Sequence, residues 1–510
     1  MPSGCPALDD NGVSSLIEAE VLELLGKAGS GSMASLAYDT AWVARLTEVD
    51  QELSNRALDW ISANQLSDGS WGADKPFYYH DRVISTLAAM IALNRGRRRS
   101  DRTQIERGQV ALERITGGAT SGLQSDPNGA TVGFEMIAPT LAAEAQELGI
   151  ICDQGQRILG RLGGSRQRKL LLLQGKRINR NITAAFSAEM TGGDGLDNLD
   201  IPNLKEPDGS VGHSPSATAY YLLSIDPTDR PALDYLHRVA REDGGFPNLM
   251  PFDVFEIAWT LWNLSLVETW DAKVMKKIRW HLEYLWACWK TGLGVGLSRT
   301  YSIPDGDDTA IVYQLLTRGG FLADIDSVLS FEENDHFRTY HFEADTSNSV
   351  ASHVMGALRQ AGRQPDDPGV RKALEYLLRK KGRQAYWLDK WHLSPFYTTS
   401  HAVIACTGYL DEKVSPSVDW MLANQQADGS WGQHFPTAEE TAYCLQALCI
   451  WRRHHGKASI PIERLKLAAA WLERHSEPPY PPLWIGKGLY CPELVVRSAV
   501  LGALRLVQES

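Results

Sequence analysis

The run Pro304-Asp305-Gly306-Asp307-Asp308-Thr309-Ala310 puts three carboxylates within four residues, at the mouth of a segment that reads as a helix. Carboxylates this close repel one another, so at least one tends to keep its proton near neutral pH. A stored carboxylic-acid proton is what a reaction begun by general acid needs. The helix start at Asp308-Thr309 would favour the anion left behind. A Pro-Asp-Gly turn is equally a place for a helix N-cap, where acids are common. On these residues alone the two readings stand level. Sixteen tryptophans are available to fill a core or to face a cation in a cavity. Trp259, Trp262, Tyr301 and Tyr220 fall on segments expected to face such a cavity, and each also reads as core. His213 and His401 could act as bases, or be satisfied structural histidines.

The elements that must position these groups are nearly all helical. Segments such as VISTLAAMIAL, DVFEIAWTLWNLSL, SVASHVMGALRQ and TAYCLQALCIW carry apolar residues at helical spacing, several of them on most faces. The unit Asp59-Trp60 through Trp71-Gly72 returns as Asp419-Trp420 through Trp431-Gly432, each with the core Asp-Gly-Ser-Trp-Gly. Asp208-Gly209-Ser210 and Asp243-Gly244-Gly245 are weaker echoes. A repeated helix, tight turn and apolar helix predicts an α/α toroid, and two full repeats far apart predict two. The fold class expected is therefore all-α, with two α/α-barrel domains. Residues 95–125 and 152–180, rich in Arg, Lys, Gly and Ser, read as exposed loops or linkers.

The bulk properties narrow the partners. The chain has 510 residues, 43% hydrophobic and 22% charged, the composition of a globular protein with a large core. A net charge of −11 argues against nucleic acid or an anionic membrane surface as the main partner. The apolar runs are too short and too broken for stable membrane insertion. The acidic opening residues resemble neither a secretory signal nor a transit peptide. Seven scattered cysteines without a CxxC pair suggest no disulfide framework, so a cytoplasmic location is expected.

Several motifs, in order along most of the chain, resemble those of the class II diterpene cyclases of the copalyl diphosphate synthase type. They are Ser35-Leu36-Ala37-Tyr38-Asp39-Thr40-Ala41-Trp42, the two QxxDGSWG units, Gly133-Phe134-Glu135, Ser214-Pro215-Ser216-Ala217-Thr218, Phe246-Pro247-Asn248, Asp389-Lys390-Trp391, Leu483-Trp484-Ile485-Gly486-Lys487-Gly488, and Asp305-Gly306-Asp307-Asp308 as the family's DxDD. The resemblance implies a β domain in two parts, residues 1–48 and 266–510, with a γ domain, 49–265, inserted between them. It implies protonation-initiated cyclisation of geranylgeranyl diphosphate to a bicyclic labdane-type or halimane/clerodane-type diphosphate, the diphosphate being kept. Asp307 would then be the proton donor, held by Asp305 and Asp308. Lys176, Arg177 and Lys487 would bind the diphosphate, and Trp259, Tyr301 and Asn248 would contact the substrate. Mg2+ is the expected cofactor, with Asp126 as its candidate ligand. A class I terpene synthase could act next on the product. The class I DDxxD motif is absent, since Ile311 follows Asp307-Asp308 and Val370 follows Asp366-Asp367. At the place of the histidine that ent-copalyl-type enzymes pair with the asparagine of Asn248, the alignment puts Phe186.

The competing expectations are a sesquiterpene cyclase making a drimane-type diphosphate from farnesyl diphosphate, and a non-catalytic α/α-barrel scaffold. A squalene-type cyclase would need a membrane-dipping helix and more repeats. A protein prenyltransferase would need a zinc ligand set. An inverting glycosidase would need two separated carboxylates.

Overall fold

The computed structural model describes residues 10–117, 126, 129–152, 154–159, 167, 169, 171–173, 175–193 and 195–510. Among them the helices sort into two closed rings. In the larger ring, the inner helices Asp253–Ser265, Gly306–Arg318, Asn348–Gln360, Pro395–Cys406, Ala438–His455 and Glu493–Gln508 each touch the next, and the last touches the first. Helices Asp10–Lys27, Ala272–Cys288, Pro368–Lys381, Asp411–Ala423 and Ile462–Arg474 pack outside it. The inner helices are buried on nearly every face, as their sequences predict, while Pro368–Lys381 and Ile462–Arg474 bury one stripe. In the smaller ring, Ala37–Val43, Tyr79–Gly96, Phe134–Glu147, the 3-10 segment Thr183–Thr191 and Pro215–Ser224 close in the same way.

Two hydrophobic cores follow the two rings. One unites residues 17–25 with 254–506, and the other spans 37–246. The division by packing thus falls earlier than residues 48 and 265. Helix Ala37–Val43 belongs to the smaller barrel, and Asp253–Ser265 completes the larger one. Only Asp10–Lys27 is separated in sequence from the rest of its barrel among the described residues. Its return is pinned where Glu256 accepts from the backbone N–H groups of Gly29 (2.7 Å), Gly31 (3.1 Å) and Ser32 (2.9 Å).

The stretch 95–125, expected as loop, contains the helix Arg102–Gly117, whose Gly108, Ala111 and Leu112 pack onto Tyr79–Gly96. Its many charges lie on the outward side of an amphipathic helix. Residues 118–125 and 160–166 fall outside the described residues.

The repeat has a plain structural meaning. Trp71 and Trp431 are fully buried, and their indole N–H groups donate to the carbonyls of Ile61 and Met421, both at 2.8 Å. Gln65 and Gln425 donate to Gly69 and Gly429 and also to Gln104 and Arg464 on the next outer helix. Gly69 and Gly429 have φ of 92° and 96°, where a side chain would be strained and would strike the neighbouring helix backbone.

Candidate active site

Asp305 is the N-cap of the Gly306–Arg318 helix: its Oδ1 accepts from the backbone N–H groups of Asp307 (2.7 Å) and Asp308 (3.1 Å). The N-cap reading of the acidic turn therefore holds at Asp305, and the capping carboxylate also sets the direction of the other two. Gly306 is required at the turn, since a Cβ there would lie 2.5 Å from the carbonyl oxygen of Arg338. All three carboxylates are buried. Burial first, and then the charge of Asp307, raises Asp305 to about 7, against a bond from Tyr340 that favours its anion. Burial and the charges of Asp305 and Asp307 raise Asp308 well above the usual carboxylate range, and its Oδ1 has no hydrogen-bond partner. Desolvation and like charge, the two causes expected, thus both push Asp305 and Asp308 upward.

Asp307 has its own partners. Its Oδ1 lies 2.5 Å from His353 Nδ1, and its Oδ2 accepts from the Ser349 hydroxyl at 3.1 Å. His353 Nε2 in turn lies 2.6 Å from His401 Nδ1. Burial holds His401 well below the ordinary histidine range, so it is neutral. A neutral His401 donating from Nδ1 leaves His353 to accept at Nε2 and donate at Nδ1, which aims its N–H at Asp307. Trp262 stacks on His401, with centroids 4.3 Å apart and planes at 24°, and fixes the ring. Asp389 accepts from Ser347, from the backbone of Asn348 and Ser349, and from the Ser349 hydroxyl. It thereby places the serine that meets Asp307.

Asp305, Asp307 and Asp308 open into a cavity of about 690 Å³ between the two barrels. That volume is in the range of ~300–1,000 Å³ typical of ligand sites. Its wall near the acids is aromatic, with Phe255, Trp259, Tyr301, Tyr397, Trp484 and Tyr490, and Phe186 faces them from the smaller barrel. Such faces attract a cation and offer no lone pair to trap it. Trp259 is oriented by its indole N–H, 3.1 Å from the Tyr397 hydroxyl. The more exposed end carries charges: Lys169 pairs with Glu135 at 2.9 Å, Lys390 pairs with Glu343 at 2.8 Å, and Lys380 and Asp345 are exposed.

The structure places Asp305, Asp307, Asp308, Trp259, Tyr301 and Asn248 together in the cavity wall. Asn248 Oδ1 accepts from the backbone of Lys487 at 3.1 Å, while its Nδ2 has no partner. Other expectations are corrected. Lys487 is fully buried, and its ammonium donates to Glu189 (2.7 Å), Ser214 (2.7 Å) and Ser216 (2.6 Å). All three of its protons are used, so none is left for a diphosphate. Lys176 and Arg177 are exposed and do not line the cavity. Asp126 is buried elsewhere. It accepts from the backbone of Tyr79 and His80 at 3.1 Å and pairs with the His80 ring, so it caps the Tyr79–Gly96 helix and offers no free oxygen to a metal. Tyr220 and Trp262 are core residues, the former bonded to Gly192 and Thr191. His213 is bonded to Pro251 and Thr300, and among the described residues no histidine lines the cavity.

Sequence reasoning missed His353, Ser349, Lys169, Lys390 and Glu135. Glu135 and Lys390 lie inside the motifs Gly133-Phe134-Glu135 and Asp389-Lys390-Trp391, so motif membership was the signal available. His353 carried none, because it lies on an ordinary apolar helix.

Residues 319–448 match the squalene-hopene cyclase C-terminal domain family. The chain is 48% identical over 496 residues to a type B diterpene cyclase of Mycobacterium tuberculosis, covering 96% of this chain and 98% of that one. It is 30% identical over 501 residues to a copalyl diphosphate synthase of Streptomyces cyslabdanicus, covering 92% and 90%. Its structure is similar to that of ent-copalyl diphosphate synthase from Streptomyces platensis, with a TM-score of 0.78 at 28% identity over 96% of this chain and 99% of that one.

Proposed function

The chain belongs to the class II diterpene cyclases, and on that premise we propose that it cyclises geranylgeranyl diphosphate to a bicyclic diphosphate without breaking the C–O bond to the diphosphate. The observation that carries this reading is Asp307, a buried acid with a fixed imidazole behind it and an aromatic cavity in front. Asp307 gives its proton to the terminal alkene, and the anion it becomes is held by His353 and Ser349. The alkene electrons close the rings in turn, with the positive charge facing Trp259, Tyr301 and Phe255. Loss of a proton from carbon ends the reaction, so the conversion is a net isomerisation.

Phe186 in the cavity wall, in place of the histidine base of ent-copalyl-type enzymes, supports a cation that migrates by hydride and methyl shifts before it is deprotonated. That favours a rearranged, halimane- or clerodane-type skeleton over the unrearranged labdane. The diphosphate lies at the charged end, against Lys169, Lys380 and Lys390. Mg2+ fits there rather than at Asp126, since it is usually held by one or two carboxylates together with substrate phosphates. Glu135, Glu343 and Asp345 are carboxylates in reach of that end, and the ion would neutralise diphosphate charge.

The test is incubation with geranylgeranyl and farnesyl diphosphates and Mg2+, with products analysed before and after phosphatase treatment. The expected result is a bicyclic C20 alcohol seen only after phosphatase. Turnover of the C15 substrate alone, or release of inorganic diphosphate by the enzyme, would overturn the proposal.

A further inference from the structure

A second cluster of ligating side chains lies at the opposite end of the larger barrel. The inner helix Ala438–His455 begins beside the cavity, where Glu439 accepts from the indole of Trp484 at 2.7 Å. The helix is 18 residues long and ends in His454 and His455. At 1.5 Å per residue its two ends are about 27 Å apart. There the two imidazoles meet Asp411, the first residue of the outer helix Asp411–Ala423. His455 Nε2 is 3.3 Å from Asp411 Oδ1, His454 Nε2 is 4.0 Å from Asp411 Oδ2, and the three ligand atoms all lie within 4.8 Å of one another. Among the described residues no other three His, Cys, Asp or Glu side chains converge in this way.

We propose that Asp411, His454 and His455 bind one divalent late transition-metal ion, of which Zn2+ is the representative. Two neutral imidazoles and a carboxylate are a donor set that Zn2+, Ni2+ and Cu2+ prefer and Mg2+ does not. Ligands 2.0–2.1 Å from a tetrahedral ion stand about 3.4 Å apart. The His455–Asp411 separation already matches, and the His454 ring, 4.0 Å from the other carboxylate oxygen, needs to move closer. The surroundings hold the ligands in place. The His455 ring packs on Trp451 with centroids 4.0 Å apart. Asp411 Oδ1 accepts from the backbone of Gly408 at 2.6 Å, and a Cβ at Gly408 would come within 2.6 Å of the His454 ring. The turn is therefore shaped around that imidazole. The C-terminus of an inner helix also carries partial negative charge, which favours a cation. The three ligands leave at least one coordination position to water. The ion ties an inner helix to the outer helix that precedes it, so its role is to hold the far rim of the barrel.

The test uses full-length protein without an affinity tag, stripped by chelator and titrated with Zn2+ by calorimetry, with thermal unfolding in parallel. Wild type is expected to bind one Zn2+ per chain and to gain Tm. His455→Ala and Asp411→Asn are expected to weaken binding at least tenfold, about the least that loss of even an outer-shell partner produces, and to abolish the gain in Tm. Their cyclase turnover and the metal-free Tm of Asp411→Asn should match wild type, while the metal-free Tm of His455→Ala should fall only by what the lost Trp451 contact explains, which separates a lost ligand from a lost fold. Absence of saturable binding, binding that survives both substitutions, or displacement by millimolar Mg2+ would each overturn the assignment and leave ordinary His–Asp ion pairs.

Discussion

An alkene is so weak a base that the acid protonating it must be loaded and yet have a stabilised anion. In the proposed mechanism Asp305 and Asp308, both pushed upward by burial, limit the negative charge around Asp307, and His353 and Ser349 receive the charge it acquires. Asp307→Asn removes the proton and keeps the size, so turnover should fall by about 10²–10⁴-fold, the usual range for a general acid. His353→Phe should lower kcat with KM nearly unchanged, because His353 touches the acid and not the substrate. Steady-state kinetics with geranylgeranyl diphosphate checks both. The acid should also fail with rising pH. As Asp305 ionises near 7, it places a second negative charge beside the carboxylate that proton transfer would create, and the repulsion opposes that transfer. A pH profile of kcat should therefore decline on its alkaline side around neutrality. Stability follows the same sign. Asp39, Asp305 and Glu206 are all raised to about 7 by burial. Between their usual range and 7 the folded chain binds protons that the unfolded chain has released, so stability is greatest at the acid end of that window and is lost as pH rises through 7. The acids were legible in the sequence because they are contiguous. Their imidazole was not, since His353 is brought to Asp307 only by closure of the ring.

An apolar inner helix needs a fixed hold on its outer neighbour, and at Tyr79–Gly96 and Ala438–His455 the buried tryptophan of the repeat supplies it. Trp431→Phe removes the indole donor from the Met421 carbonyl and leaves it the Asn424 N–H, so the loss is that of one hydrogen bond, about 0.5–1.5 kcal/mol. Thermal unfolding should register that loss, while turnover at low temperature should persist. Asp126 acts at the same scale, since it terminates the Tyr79–Gly96 helix with two backbone bonds and the His80 ring. Asp126→Ala should destabilise by about 1–2 kcal/mol, as loss of a cap does, and leave the Mg2+ concentration for half-maximal activity unchanged. A change in that concentration would instead make Asp126 a metal ligand. The repeat and the helical periods made the two barrels legible in the amino-acid order alone. The domain edges were not, because Ala37–Val43 and Asp253–Ser265 are apolar on most faces and suit either core. Lone acids and lysines mislead for a related reason: Asp126 and Lys487 look like ligands until their buried partners are known.

The cavity exists only because the two barrels are held face to face, and one short hairpin does much of the holding. Trp484 and Ile485 pair antiparallel with Tyr490 and Leu489, and the turn Gly486-Lys487-Gly488 between them enters the smaller barrel. Gly486 carbonyl accepts from Val132 N–H at 2.8 Å, Leu489 N–H donates to Asp81 at 3.3 Å, and neither glycine could carry a Cβ without striking Asn248 or Asp81. At the tip, the Lys487 ammonium meets Glu189, with Asp39 close by on Ser216. The same strands put Trp484 and Tyr490 in the cavity wall. A buried ion pair is a poor source of net stability, but removing one partner strands the other charge and costs about 3–5 kcal/mol. Lys487→Met should therefore lower Tm sharply and raise KM for the prenyl diphosphate more than it lowers kcat, because the acid stays intact while the wall opposite it shifts. Adding Glu189→Gln removes the stranded charge and should recover most of the Tm. If Lys487 instead bound the diphosphate directly, the double variant would regain stability with no recovery of KM. Measuring Tm and KM for the single and double variants decides between these two roles.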